Sequence, residues 1–262
     1  MFGLKEYRMV QSLDEAYELL AQDRNNVILG GLLWIKMGRK QYQTGIDLSG
    51  LGLNAISETE DSIHIGCMTT LRQMEISPLL LQWFGPLFSD AFKGIVGVQF
   101  RNLATLGGSV YSRFGFSDVI TALTALDTQV RLYRAGVVTL SKFLNMDQKR
   151  DILEKVIIKK QVTQTSFQTL RKSATDFSIL SVATSLCKGN WKIAAGARPS
   201  MAILAENAAG LLSPEPDEKT IKAALDRVVN ELSFGTDQRA GAGYRKLLAG
   251  VLVKRGIEAI CR

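Results

Sequence analysis

A chain of 262 residues with 46% hydrophobic and 22% charged residues has the material for a sizeable core, in one large domain or two smaller ones. No apolar run reaches the roughly 18 residues of a membrane-spanning helix, and the opening MFGLKEYRMVQSLDE lacks the apolar core and cleavage site of a secretory leader, so the expected location is the cytoplasm. The net charge of +7, from 32 basic and 25 acidic residues, is spread along the chain; its densest groups, in KLLAGVLVKR and VIIKKQ, carry no interleaved aromatic platform, so nucleic acid is not the expected partner.

In chain order, KEYRMV reads as a short strand. SLDEAYELLAQ reads as a helix, opened by a capping box from Ser12 to Glu15 ahead of Ala16, Leu19 and Leu20 at helical spacing. NNVIL is a buried strand ending at Gly30-Gly31. YQTGIDLSGL and SIHIGCMTTL give two more strands, the second alternating apolar and polar. Leu71 to Phe92 is mostly helical, with Pro78 suited to a helix start. DVITALTAL is helical again, and QVRLYRAGVVTL reads as a hairpin. From about Lys160 the texture changes: TSFQTLRK, FSILSVATSLC and WKIAAGA form three strands, followed by helices over Met201 to Leu212, Asp217 to Leu232 and about Gly241 to Ile260. Three strands and then helices make a compact α+β unit. The expected division is therefore a domain of residues 1–160, itself split near residue 50, and a second of residues 161–262.

Little in the chain can ligate a metal or act as a nucleophile. Cys67, Cys187 and Cys261 are isolated, so neither a disulfide framework nor Cys-x-x-Cys metal spacing is available. His64 stands alone in the alternating SIHIG, where a surface or packed histidine is the plain reading. The glycines are more informative: VILGGLLW and TLGGSVYSRFGFSD each place a glycine pair after an apolar run. Without a Cβ, such a pair lets bare backbone N–H groups close on an anion, and a helix start behind the pair adds partial positive charge. Either pair alone is also an ordinary turn. Two in matching contexts point to two clamps on one phosphate-bearing ligand, without the Gly-x-Gly-x-x-Gly spacing of a dinucleotide-binding βαβ unit.

VILGGLLWIKMG is followed by YQTGIDLSGLGLNAISETEDSIHIGCMTTLRQME and VQFRNLATLGGSVYSRFGFSDVITALTALDTQVRL, then by RKSATDFSILSVA, IAAGARPSMAILAE and YRKLLAGVLVKR. In this order, nearly end to end, the motifs resemble the FAD-binding medium subunit of molybdenum hydroxylases, the family of the xanthine, carbon monoxide and nicotinate dehydrogenase flavoproteins. The resemblance implies a vanillyl-alcohol-oxidase (PCMH-type) FAD-binding domain of two subdomains plus a C-terminal α+β domain with a three-stranded sheet and helices. It implies that Leu29, Gly30, Gly31, Leu32, Leu33 and Trp34 line one side of the FAD pyrophosphate, and Thr105, Gly107, Gly108 and Ser109 the other. Asp118 would accept from ribose hydroxyls of the adenosine half, and it also reads as the N-cap of the VITALTAL helix. Ile95 and Leu153 would lie beside the isoalloxazine ring, where plain core packing is an equal reading. The chain departs from the family pattern at several places. Leu32 and Leu33 replace a Thr-Asp pair, Ser109 an Asn, Phe114-Gly115 a Ser-Pro pair, and Gln168 a lysine near the flavin. Each side-chain hydrogen bond lost in this way weakens FAD by about 0.5–1.5 kcal/mol.

By the same resemblance a large partner subunit holds the molybdenum cofactor and a small one two iron–sulfur clusters. Electrons would pass through FAD to NAD or another acceptor, and no general acid, base or metal ligand is expected in this chain. Three scattered thiols could not ligate a cluster that needs four. Lys246, Lys254 and Arg255 are candidates for a docking face or are simply a solvated helix face. Two other readings stay open: a self-contained flavin oxidoreductase, which needs its own substrate pocket, and a flavin-free scaffold subunit, motivated by Leu32, Leu33 and Gln168.

Overall fold

A computed structural model describes residues 1–147 and 149–262. The chain opens with β1 (Gly3–Met9), α1 (Leu13–Gln22), β2 (Val27–Leu29), β3 (Gln41–Asp47), β4 (Ile56–Glu58) and β5 (Ser62–Gly66). Short helices follow: α2 (Leu71–Glu75), α3 (Pro78–Phe84), α4 (Leu87–Phe92), α5 (Val98–Arg101), α6 (Leu106–Tyr111) and α7 (Asp118–Thr124). Then come β6 (Thr128–Leu132), β7 (Gly136–Thr139), α8 (Leu140–Asn145), β8 (Leu153–Lys159), β9 (Gln164–Leu170), β10 (Leu180–Cys187), β11 (Asn190–Gly196) and β12 (Ile203–Leu204). Three helices close the chain: α9 (Glu206–Ala209), α10 (Glu218–Glu231) and α11 (Ala242–Cys261).

These elements form two compact units that interleave along the sequence. One comprises Met1–Gln73, Val98–Ser112 and Thr128–Ile158; the other comprises Met74–Gly97, Arg113–Asp127 and Lys159–Arg262. In the first unit, β1 and β2 both pair in parallel with the central β3, and α1 packs on that sheet. Ser12 caps α1 by accepting from the Glu15 N–H at 3.1 Å, while Glu15 returns to the Gln11 N–H at 2.8 Å. A five-stranded sheet in the order β4-β5-β8-β6-β7 completes this unit, with Ile63, Ile65, Val130, Val156 and Ile158 fully buried.

The second unit is built on a four-stranded antiparallel sheet, β12-β11-β10-β9, buried on both faces. Leu180, Val182, Ile193 and Ala195 pack with Leu248, Leu252 and Ile257 of α11 in one core. Residues of opposite parity on β10 face the other way: the Ser181 hydroxyl lies 3.2 Å from that of Thr121, and Ser185 donates to the Ala125 carbonyl at 2.5 Å. Thr121 belongs to α7, which with α4 covers that second face.

Several expectations are revised. The helical stretch from Leu71 to Phe92 is three short helices, interrupted at Ser77, which caps α3, and at Gly85, whose φ of 57° ends it. The stretch expected to be helical from Met201 is instead β12 and a single turn, α9, because the Ala205 N–H bonds the Ile193 carbonyl and ties the chain to the sheet edge. That pairing also makes the C-terminal sheet four-stranded rather than three-stranded. Among the described residues, no helix is long and apolar enough to cross a membrane.

Candidate functional site

Both glycine pairs lie in the first compact unit. After β2, residues Gly30–Trp34 leave the sheet and turn into a single 3₁₀ turn, Ile35–Met37. Leu32 takes the left-handed conformation, φ 62°. The N–H groups of Gly30, Gly31, Leu32 and Leu33 donate to no acceptor among the described residues. Successive N–H groups brought round through a left-handed residue form a concave nest of donors suited to an anion.

The second pair behaves differently, and the expectation of bare amides there is corrected. Leu106 and Gly107 donate to the carbonyls of Thr69 and Cys67 at 2.8 and 2.7 Å, and Ser109 to the Thr105 carbonyl at 3.0 Å. The Gly108 N–H is taken by the Thr105 hydroxyl oxygen at 3.2 Å, an N-cap of α6. The Ser109 hydroxyl also turns back to the Thr105 carbonyl, at 2.9 Å. What the second loop offers a ligand is therefore the hydroxyl proton of Thr105, whose oxygen is engaged only as an acceptor, and the Thr105 N–H, which has no acceptor among the described residues.

The glycines bring the two loops together. A Cβ on Gly31 would overlap the Leu103 carbonyl oxygen, and one on Gly30 would stand 2.7 Å from the Thr105 hydroxyl. A Cβ on Gly107 would lie 2.8 Å from the Cys67 carbonyl oxygen. Four open amides and the Thr105 hydroxyl thus sit on loops in backbone contact. This donor set fits a diphosphate.

The remaining predicted residues are placed as follows. Asp118 lies in the second unit, 5% exposed, as the first residue of α7; the N-cap is Ser117, whose hydroxyl accepts from the Ile120 N–H at 3.2 Å, and not Asp118 as expected. One of its oxygens bonds the Arg171 guanidinium and the other accepts from the Ser178 hydroxyl at 2.9 Å. Burial pushes this carboxyl up from its ordinary range, against the pull of Arg171, Ser178 and Ser181. The carboxyl group thus lies among Arg171, Ser178 and Ser181. Ile95, half-buried in the second unit, donates its N–H to Phe92 at 2.8 Å. Leu153 is buried at the start of β8 in the first unit. Gln168 bonds the Ser166 hydroxyl at 2.8 Å. Phe114, which stands in place of the family's serine, stacks on Phe116 at 5.0 Å, and Phe116 meets Phe177 at 4.2 Å. The His64 imidazole lies between Ser62 at 2.9 Å and Lys155 at 3.2 Å, and burial with the nearby cations holds its pKa down. Burial pushes the Cys67 thiol up to about 12, so its part here is structural, through its carbonyl. No group of three His, Cys, Asp or Glu able to hold a metal occurs among the described residues.

Sequence reasoning passed over two arginines of the second unit. Arg245 is fully buried, donating to the carbonyls of Ile179, Gly235 and Ala240 at 2.8, 2.9 and 2.6 Å and to Asp237 at 2.6 Å. Arg171 closes on Asp118 and the Asp176 carbonyl. A signal for Arg245 was present: it falls on the same helical stripe as Leu248 and Leu252, where a charge needs a built-in set of acceptors.

A parallel βαβ-like layer, a five-stranded sheet and an anion nest on paired glycine loops define an FAD-binding flavoprotein of the PCMH type, joined to a C-terminal α+β sheet. The family described as the FAD binding domain in molybdopterin dehydrogenase matches residues 2–161, and the CO dehydrogenase flavoprotein C-terminal domain matches residues 165–260. The chain belongs to this family, the FAD-binding medium subunits of molybdenum-hydroxylase-type oxidoreductases. It is 25% identical to the xanthine dehydrogenase FAD-binding subunit of Escherichia coli over 282 residues, covering 98% of this chain and 96% of that one. It is also 25% identical to the carbon monoxide dehydrogenase medium chain of Hydrogenophaga pseudoflava, covering 97% and 96%. Among solved structures, carbon monoxide dehydrogenase from that organism superposes with a TM-score of 0.88 at 24% identity over 97% of this chain and 96% of the other. Quinoline 2-oxidoreductase from Pseudomonas putida 86 gives 0.88 at 22%, over 98% and 96%.

Proposed function

We propose that this chain is the electron-output subunit of a molybdenum hydroxylase complex, with its cofactor diphosphate seated on the Gly30–Leu33 nest. When bound, FAD supplies the exchange between single electrons, arriving from iron–sulfur clusters on a small partner, and two-electron delivery to NAD⁺ or another acceptor. Substrate hydroxylation belongs to a large, molybdenum-bearing partner. In this reading residues 1–160 hold the flavin and residues 161–262 contribute a docking face. The Gly30, Gly31, Leu32 and Leu33 amides and the Thr105 hydroxyl hold the diphosphate, flanked by Leu29, Trp34 and Ser109; Gly107 and Gly108 keep the second loop close. Asp118 acts from inside, fixing Arg171 and Ser178, while Ile95 and Leu153 supply apolar packing. A cytoplasmic location is part of the same reading, in keeping with three unpaired cysteines.

The observation that carries this reading is the run of four successive amides without an acceptor among the described residues. One observation favours a second reading, a flavin-free scaffold: in the other loop the amides of Leu106, Gly107, Gly108 and Ser109 are engaged. A visible spectrum of the purified chain, taken after incubation with FAD and desalting, separates the two. Retained flavin is expected, and its loss in Leu33→Glu, which sets a carboxylate at the nest without touching the backbone, while the circular dichroism stays unchanged. A folded wild-type chain that never keeps flavin supports the scaffold. Equal retention by Leu33→Glu moves the diphosphate off the nest. Anaerobic NADH bleaching the bound flavin supports NAD as acceptor; no bleaching points to another.

A further inference from the structure

The last helix is apolar on two sides. One side, with Leu248, Leu252, Val253 and Ile257, is buried in the core of the second unit. The other is bare: Tyr244, Leu247 and Val251, at i, i+3 and i+7, are 51%, 74% and 46% exposed. Gly243 and Gly250 lie on this same side, and a Cβ built on either meets no described atom within 4 Å. Neither glycine is therefore required by packing within the chain, although glycine is the poorest helix former after proline. Beyond Val251 the bare side becomes basic, with Lys254, Arg255 and Arg262 exposed and Glu258 paired to Lys254 at 3.7 Å.

We propose that this side of α11 is covered by an α-helix of a partner subunit, small or apolar opposite residues 243–251 and acidic opposite Lys254 and Arg255. The two glycines are one heptad apart, so they fall on the same seam and let a second helix backbone come close, with Leu247 between them as the inserting side chain. Opposite charge is what the basic end lacks, since its one acid is already paired. A second copy of this chain fits less well. Each copy carries +7, and parallel pairing would set Lys254 against Lys254. The apolar seam is also only about 12 Å long, short for the roughly 800 Å² per partner of a free-standing dimer. A subunit that also docks elsewhere needs no more from this helix.

The inference rests on the complex proposed above, and its test separates the two. The complex is isolated from the cells that make it, through a tag on this chain, as wild type, Gly250→Leu and Leu247→Glu, and the molybdenum and iron that travel with the chain are measured. In wild type the metals co-purify. In Leu247→Glu they fall at least tenfold, and in Gly250→Leu severalfold. Leucine is the better helix former, so isolated Gly250→Leu melts about 2–4 °C higher than wild type. Greater stability with poorer assembly is an outcome that a purely structural role for Gly250 would not give. Equal metal recovery in all three chains overturns the docking face and leaves the complex standing. Wild type that brings down no metal overturns the complex and this inference with it. A concentration-dependent dimer of the isolated chain that Leu247→Glu abolishes assigns the face to a second copy and also overturns it.

Discussion

Gly31, Gly107 and Gly108 are the same residue for different reasons, and the reasons rank their substitutions. At Gly31 a methyl group overlaps the Leu103 carbonyl, which is backbone and cannot step aside. At Gly107 it meets the Cys67 carbonyl and Cβ at 2.8 and 2.9 Å, and at Gly108 only the Thr105 hydroxyl at 3.2 Å. Gly31→Ala is therefore expected to cost about 2 kcal/mol or more and to lose flavin, and Gly107→Ala about 1–2 kcal/mol. Gly108→Ala should stay within about 1 kcal/mol of wild type, because alanine favours the helix there. Urea midpoints with flavin retention on the same three proteins check the order; a Gly108→Ala more damaging than Gly31→Ala would contradict the packing account. Asp118 makes a second residue-scale case. In Asp118→Asn the partly buried Arg171 loses its counter-charge, a loss of about 3 kcal/mol, read by thermal unfolding of the flavin-free chain. A variant that loses only flavin affinity would instead return Asp118 to ribose recognition. The glycine pairs themselves were legible in the sequence. Which amides stay open was not, because the acceptors that close the second loop, Cys67 and Thr69, come from a strand end far upstream.

Elements were legible where a pattern ran long enough to show its period. Helices α1 and α10 carry a cap and a one-sided stripe, and the β6–β7 hairpin has Gly136 at φ 70° in its turn. Strand β8 was hidden because Val156 and Ile158 alternate inside a run that reads first as basic. Strand β12 is two residues whose pairing only the sheet decides. Helix α11 was legible as a helix but its anchor was not: Arg245 ties it to the 235–240 segment through Asp237. Burial pushes the Asp237 carboxyl up, but bonds from Arg245 and from the Arg239 and Ala240 N–H groups outweigh it and hold the group at about 2, below the ordinary 3.8. A depressed folded-state value means the carboxylate stabilises the fold at pH above about 4, and that this contribution is lost as pH falls from about 4 through about 2. Asp237→Asn is thus expected to be less stable than wild type by about 2 kcal/mol at neutral pH, with the gap closing as pH drops toward 2. Urea titrations at pH 7, 4 and 3 check it; a gap that widened on acidification would reverse the sign.

At the scale of the molecule, the two matched families divide the chain between residues 161 and 165, whereas its packing does not follow a single cut. The C-terminal sheet takes its second cover from α4 and α7, which precede it in sequence. Polar groups on that face are completed by the same segments: Arg171 by Asp118, Ser181 by Thr121, and Ser185 by the Ala125 carbonyl. A fragment of residues 161–262 keeps the core under α10 and α11 but uncovers the opposite face of β10 and β9, including Phe167. It also leaves Arg171 without its carboxylate. Losing half the cover of a sheet buried on both sides removes apolar burial worth about 25 cal/mol per Å² exposed, against a domain stability of only about 5–15 kcal/mol. The fragment is therefore expected to show strand and helix by far-ultraviolet circular dichroism, bind a hydrophobic dye and melt without a cooperative transition. Supplying residues 74–127 as a second chain should restore cooperativity, since that stretch contains both covering helices and Asp118. A fragment that melts sharply by itself and binds no dye would mean that α11, α10 and the sheet suffice, and that α4 and α7 merely rest on a finished domain.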